Sequence, residues 1–116
     1  MVLSLKQMAV PADSPAGFAV EMEDNSMSPL FPRGSKALIQ RGAPLRDGDV
    51  GLFFLSGQAV LRQYCEDYAG NVYLFVLNRR HSRKDIYLPR EQTPVCCFGR
   101  AVLDEPPPLP GYGNYE

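Results

Sequence analysis

The residue that points most directly to chemistry is a serine in a turn-like stretch. Ser26 stands in MEDNSMSPLFPRG, residues 22–34, between a polar run and a Met-Ser-Pro sequence. A serine hydroxyl is a weak nucleophile at neutral pH, so it needs a base within hydrogen-bond reach to take its proton. Without that base, a serine beside Asn and Pro is a turn residue that hydrogen-bonds its own backbone. The sequence therefore allows two interpretations of Ser26, a nucleophile and a turn residue.

Other residues with reactive side chains form no recognisable site. The segment RRHSRK, residues 79–84, surrounds the single histidine, His81, with four cationic side chains. It could contact phosphate or an acidic partner, or it could be a solvated loop between two strands. Cys65, Cys96 and Cys97 are too few for a disulfide framework, lack metal-ligand spacing, and suit structural thiols in a reducing compartment. We therefore expect neither a metal nor a cofactor.

Composition limits the class of protein. The chain has 116 residues, of which 45% are hydrophobic, and this suits one small domain. A formal net charge of -1 gives no argument for a nucleic-acid surface. The longest apolar runs, VGLFFL and VYLFVL, are far shorter than the ~18 to 20 residues of a membrane-spanning helix, and no signal-peptide pattern opens the chain. We expect a cytoplasmic protein that does not contact membranes.

Short β-type segments separated by Gly, Pro and Asp turns must position these residues, because helical periodicity is almost absent. The segment GFAVEME alternates apolar and polar residues, so Ser26 follows the end of a strand. Further strands are predicted in KALIQRG, VGLFFL, QAVLRQYCED, NVYLFVLN, DIYLP and VCCFGRAVLD. Asp47-Gly48 and Ser56-Gly57 supply turns before and after VGLFFL. The pattern predicts a mostly β, single domain of seven or eight short strands over residues 1–104.

The carboxy-terminal segment differs in kind from the rest of the chain. EPPPLPGYGNYE, residues 105–116, is rich in proline, which favours polyproline II and cannot donate to a β-ladder. We expect this tail to be disordered. The alternative is an adaptor function, in which the tail docks in an aromatic-lined groove of a partner protein.

Four segments together resemble one known family. NSMSPLFPRGSKALI, LRDGDVGLFFLSGQAVLRQY, VYLFVLNRRHSRKDIYL and VCCFGRAVL have the order and spacing of the carboxy-terminal domain of LexA and phage CI-type repressors. The likeness covers about residues 9–103, and its most specific part is Ser-Met-x-Pro followed by Gly34. It implies the LexA/signal-peptidase-like complex β-fold, dimerisation and, in many relatives, self-cleavage by a Ser/Lys dyad.

By this resemblance Ser26 matches the nucleophile, and Asn25 and Met27 belong to the turn that would supply the oxyanion-binding backbone. The general-base lysine of the relatives corresponds to Arg62 in VLRQY. A guanidinium keeps its proton above pH ~12 and cannot accept one from serine. The resemblance therefore predicts a degenerate, inactive dyad.

No substitute base or cleavage site fits the family pattern. Lys36 falls on a different strand, and His81 lies in the basic loop. Ala16-Gly17 repeats the scissile dipeptide of the relatives, but the residues between it and the serine are needed for a strand, so we expect it to stay uncut. Arg62 could instead pair with a carboxylate, of which the nearest in sequence to the serine are Glu21, Glu23 and Asp24.

The resemblance implies a regulatory and dimerisation domain of a phage-repressor-like transcription factor, of the kind found in prophage and SOS regulation. DNA would be bound by an amino-terminal helix-turn-helix module absent from this chain. We expect a homodimer through the apolar run Val95, Cys96, Cys97 and Phe98, which would be a hazardous exposed edge in a monomer. A RecA-like filament is a second partner that the family suggests. The alternative function is an active serine peptidase that cleaves itself with Ser26.

Overall fold

The computed structural model of the protein describes residues 5–8, 17–42, 44–55, 57–91 and 96–110. Within these ranges the chain forms eight strands and one short 3-10 helix. In chain order the elements are β1 (Leu5–Met8), β2 (Phe18–Met22), β3 (Lys36–Arg41), β4 (Val50–Leu55), β5 (Gln58–Glu66), β6 (Val72–Phe75), the 3-10 helix (Arg79–Lys84), β7 (Ile86–Leu88) and β8 (Cys96–Ala101). The predicted mostly β fold is therefore confirmed.

All eight described strands belong to one antiparallel sheet with the order β1-β2-β3-β8-β4-β5-β6-β7. The last strand, β8, inserts between β3 and β4 and pairs with both. The pairing with β3 covers only Gly99, Arg100 and Ala101, whereas Cys96 and Cys97 pair with β4 alone, so an interface at residues 95–98 stays a prediction. Val95 itself lies outside the described residues. The ladder of β8 with β4 shifts register between Leu52 and Phe53, so Phe98 is an extra, bulged residue.

The sheet buries apolar side chains on both faces of its central strands. Leu52 of β4 and its cross-strand partner Leu61 of β5 belong to the larger cluster, which includes Met22, whereas the next pair, Phe53 and Val60, belongs to a second cluster. Successive strand residues point to opposite faces. This is why VGLFFL is a continuous apolar run instead of an alternating one.

The proline-rich segment packs on the sheet over its first residues. Gln63 of β5 is fully buried, and its Nε2 donates to the carbonyl oxygens of Pro107 at 2.7 Å and Gly48 at 3.2 Å. Pro107 is buried. The expected disordered tail therefore does not begin at residue 105, since an internal amide fixes the chain at Pro107. Residues 111–116 lie outside the described residues.

Candidate active site

Ser26 lies in a tight turn that follows β2. The backbone N–H of Phe31 donates to the carbonyl oxygen of Met27 at 2.9 Å, and the N–H of Arg33 donates to Asn25 Oδ1 at 2.9 Å. Met27 is fully buried, so it anchors the turn in the core. Asn25 and Met27, which we predicted as turn and oxyanion residues, thus hold the turn, and neither side chain lines the cleft around Ser26.

The hydroxyl of Ser26 faces a carboxylate. Ser26 is fully buried, and its Oγ donates to Asp24 Oδ1 at 2.6 Å, while its backbone N–H donates to the same oxygen at 3.0 Å. The other oxygen, Asp24 Oδ2, accepts from Lys84 Nζ at 3.4 Å. Burial raises the pKa of Asp24, but the hydrogen bonds from Ser26 and the charge of Lys84 outweigh it and hold the pKa below its ordinary value of 3.8. Asp24 is therefore ionised at neutral pH and is a weak base.

Arg62 is buried in the middle of β5, opposite Gly51 of β4. Its side chain is 8% exposed, and Nη1 donates to the carbonyl oxygen of Leu61 at 2.8 Å. Burial lowers the pKa of Arg62, whereas the negative charges of Asp24 and Asp85 raise it. A guanidinium in such surroundings stays protonated at neutral pH.

Ser26 and Arg62 line one cleft of about 300 Å³, here called the Ser26 cleft. Its polar lining consists of Asp24, Ser26, Gln58, Arg62 and Lys84. Its apolar lining consists of Met22, Val60, Leu61 and Ile86. The structure therefore brings together the two residues that the sequence assigned to the nucleophile and general-base positions, although Ser26 lies in the turn after β2 and Arg62 lies on β5. Of the three carboxylates considered as partners for Arg62, Asp24 is the one that lines this cleft.

The other predicted candidates lie elsewhere. Lys36 is exposed at the start of β3 and pairs in register with Glu21, and His81 is half-buried in the 3-10 helix. Neither residue lines the Ser26 cleft. Gly17 precedes β2, at the end remote from Ser26, and its N–H donates to Ile39 O at 2.8 Å. Because five strand residues span about 16 Å, Gly17 lies away from the serine. Ala16, the other residue of the predicted decoy dipeptide, lies outside the described residues.

Sequence analysis missed two residues that complete the Ser26 surroundings. Lys84 was assigned to a basic loop, yet it reaches Asp24 from a position 60 residues away in sequence. Asn78 caps the 3-10 helix, its backbone N–H donates to Ser26 O at 3.0 Å, and its Nδ2 donates to Asn25 O at 3.0 Å. The sequence signal is an Asn just before RRHSRK, but only the β5-β6-β7 pairing shows where that segment lies.

Two residues of the predicted dimer surface have described side chains. Cys97 is exposed and its Sγ donates to Gly99 O at 3.6 Å. Phe98 is 42% exposed and packs against Phe54, with ring centroids 6.0 Å apart. The bulge at Phe98 turns adjacent residues of β8 toward solvent. Cys96 belongs to β8, but its side chain lies outside the described part of the structure.

Comparisons with known proteins identify the family. A search of curated proteins found no match. Within the described part of the chain, no helix has the length and apolar character needed to cross a membrane. The model of one family, described as Peptidase S24-like, matches residues 3–102 and so covers both the Ser26 turn and the strand that carries Arg62. As the resemblance to LexA and CI-type domains predicted, this chain belongs to the Peptidase S24-like family.

Proposed function

We propose that this chain is the regulatory and dimerisation domain of a cytoplasmic, phage-repressor-like helix-turn-helix transcription factor, and that its Ser/Lys peptidase site is degenerate. The observation that carries the proposal is that Ser26 and Arg62 line the same cleft. A guanidinium can donate hydrogen bonds to a substrate but cannot take the serine proton. Ser26 therefore has no base at the position where the relatives place one.

The other groups around Ser26 support the same conclusion. Asp24 accepts a short hydrogen bond from the Ser26 hydroxyl, but its depressed pKa makes it a poor general base. Lys84 is about 41% exposed, and its Nζ is ion-paired with Asp24 Oδ2 at 3.4 Å. Among the residues that line the Ser26 cleft there is no histidine, and the one lysine, Lys84, is engaged by Asp24.

Without cleavage, the domain contributes through self-association. Two copies would hold two DNA-binding modules at the spacing of two operator half-sites, which raises affinity without any new contact to bases. The exposed Phe98 on β8 supports an interface at this strand, since a large aromatic side chain left in water favours burial by a partner.

Reactivity of Ser26 toward a serine-directed fluorophosphonate tests the degenerate site. We expect the wild-type chain to stay unlabelled at alkaline pH, as Ser26→Ala does. Arg62→Lys restores an amine that can lose its proton, so it should be labelled, and the double variant with Ser26→Ala should not. Arg100→Lys, on β8 and outside the cleft, is the matched arginine control and should behave as wild type. Labelling of the wild type that Ser26→Ala abolishes would overturn the proposal.

One observation favours the alternative, an active serine peptidase. Lys84 lines the same cleft as Ser26 and is the only lysine that does so among the described residues. An active enzyme would need Lys84 to lose both its proton and its ion pair with Asp24. In that case Lys84→Met would abolish labelling of the wild-type serine, whereas the degenerate-site proposal expects no labelling in either protein.

A further inference from the structure

The guanidinium of Arg62 keeps hydrogen-bonding capacity that the protein does not use. The residue is more than nine-tenths buried, and it lines the Ser26 cleft. Its Nη1 is satisfied by Leu61 O, but its buried Nε has no hydrogen-bond partner among the described residues. A buried, charged donor without a partner costs free energy, so it marks a place where a ligand with acceptor oxygens would be stabilised.

The carboxylates near Arg62 are already engaged by other groups. Asp24 uses Oδ1 for Ser26 and Oδ2 for Lys84. Asp85 accepts two hydrogen bonds from Arg79, at 2.9 and 2.8 Å. Both carboxylates influence Arg62 through their charge, but neither hydrogen-bonds to it in the described structure. The charged side chains that line the cleft are two cations and one anion, which leaves one net positive charge.

The walls of the cleft indicate what the anion would carry. Met22, Val60, Leu61 and Ile86 supply an apolar lining beside the guanidinium. The volume of about 300 Å³ lies at the small end of ligand pockets. A planar guanidinium matches a carboxylate with two parallel N–H donors, and the apolar walls match a branched aliphatic group.

We propose that the Ser26 cleft binds a carboxylate attached to a short aliphatic group, with Arg62 as the anchoring residue. The ligand is either a small free acid or the carboxyl terminus of a polypeptide that ends in an aliphatic residue. The proposal rests on the proposed function in one respect, that the cleft holds its ligand without hydrolysing it. Arg62, which stands where the relatives have the general-base lysine, thereby becomes the residue that recognises a ligand.

Titration of the 116-residue chain with matched acids and amides tests this site. Isovalerate is compared with isovaleramide, and the peptide Ala-Ala-Leu with its carboxyl-terminal amide, by calorimetry and by amide chemical shifts at neutral pH. We expect each acid to bind at least tenfold more tightly than its amide, with shifts at Ser26 and Arg62. Whichever acid binds more tightly identifies the source, a free acid or a polypeptide terminus.

Variants locate the binding group. We expect Arg62→Met to weaken acid binding at least tenfold, and Arg62→Lys to weaken it less because the charge remains while the planar donor pair is lost. Arg83→Met, in the 3-10 helix but outside the cleft lining, is the control and should bind as wild type. If Arg62→Met does not fold, the site is tested by comparing the affinities for acid and amide in the wild type and in Arg62→Lys. Equal binding of acid and amide, no binding by the wild type, or unchanged binding in Arg62→Met would overturn the site.

The same titrations in Ser26→Ala separate this inference from the proposed function. This variant cannot use the serine as a nucleophile, whereas the Arg62 guanidinium remains. Hydrolysis of the peptide by the wild type alone would overturn the degenerate site, and binding of the acid to Ser26→Ala would still support the ligand site. Absence of binding in both proteins, with no hydrolysis, would overturn the ligand site and leave the degenerate site standing.

Discussion

For single residues, the chemistry of the cleft depends on which group meets the Ser26 hydroxyl. Its proton is directed to Asp24, whose second oxygen is held by Lys84. This chain of contacts ties the turn after β2 to the 3-10 helix, so the polar groups stabilise the fold as well as define the cleft. Ser26 hydrogen-bonds within its own turn, as the interpretation as a turn residue expects, and its assignment as the nucleophile stays a prediction from the family resemblance.

The depressed pKa of Asp24 predicts a specific pH dependence of stability. A carboxyl group whose pKa is lowered on folding stabilises the protein above its ordinary pKa of 3.8, and that contribution is lost as the pH falls through the folded-state pKa. We expect Asp24→Asn to lower the free energy of unfolding at pH 7 by about 1 kcal/mol, a modest value because the carboxylate is half-exposed. The difference from wild type should shrink as the pH is lowered below 3.8.

Urea denaturation at a series of pH values measures this difference. Ser26→Ala removes the hydroxyl donor and should reduce the acid sensitivity in part. Ser28→Ala is the matched serine control, because the Ser28 hydroxyl donates to Asn25 O and not to Asp24. If the difference in the free energy of unfolding between wild type and Asp24→Asn stays constant from neutral to acid pH, the lowered pKa of Asp24 is contradicted.

Part of this site could be predicted from the sequence and part could not. The resemblance to LexA and CI-type domains assigned Ser26 and Arg62 to one site, because each lies in a short segment that resembles a motif of that family. The role of Lys84 could not be predicted, since its contact with Asp24 depends on how the chain between β6 and β7 folds back. The orphaned Nε of Arg62 is likewise a result of packing that no local pattern contains.

Among the elements, β8 determines how the two halves of the sheet join. Alternation and turn residues predicted β2 to β8 as strands, because each buries apolar residues and is bounded by Gly, Pro or Asp. They did not predict β1, Leu5–Met8, where LKQM is too short and too polar to stand out. Nor did they predict the position of β8 between β3 and β4, because strand order depends on long-range pairing. The segment RRHSRK, interpreted as a loop or a contact surface, forms a 3-10 helix.

The close approach of β8 to β3 predicts that Gly99 tolerates no side chain. A Cβ built on Gly99 clashes with the carbonyl oxygen of Gln40 and lies 2.9 Å from Ile39 Cγ2. Because the obstacle includes backbone, β3 and β8 must separate to admit a methyl group. We expect Gly99→Ala to lower the free energy of unfolding by about 2 to 3 kcal/mol in chemical denaturation.

Gly17→Ala is the control for this effect. A Cβ at Gly17 lies 3.3 Å from the side chain of Arg41, which can move aside. We expect a change of less than about 1 kcal/mol in this variant. Equal stability of the two alanine variants would show that β3 and β8 are not closely packed at Gly99.

At the scale of the whole molecule, the proline-rich segment packs against the sheet, whereas the Phe98 side chain of β8 is partly exposed to solvent. The proline-rich segment was expected to leave the domain, but Gln63 of β5 draws it back through Pro107. A lone Gln in a strand gives no sequence signal for this contact. Phe98 on β8 differs from this segment, because the sequence predicted it as part of an interface and its side chain does face solvent.

Dimerisation through β8 predicts that a charge at Phe98 separates the protomers. Phe98 and Phe54 form a tilted aromatic pair, and Phe98 is 42% exposed in the single chain. Buried aromatic side chains dominate many interfaces, whereas a carboxylate buried without a partner opposes association. We expect sedimentation velocity to show a wild-type dimer and a Phe98→Asp monomer with an unchanged circular dichroism spectrum.

Tyr68→Asp, at a fully exposed residue in the turn between β5 and β6, is the control and should remain dimeric. A monomeric wild type, or a Phe98→Asp variant that still dimerises, would contradict an interface at this strand.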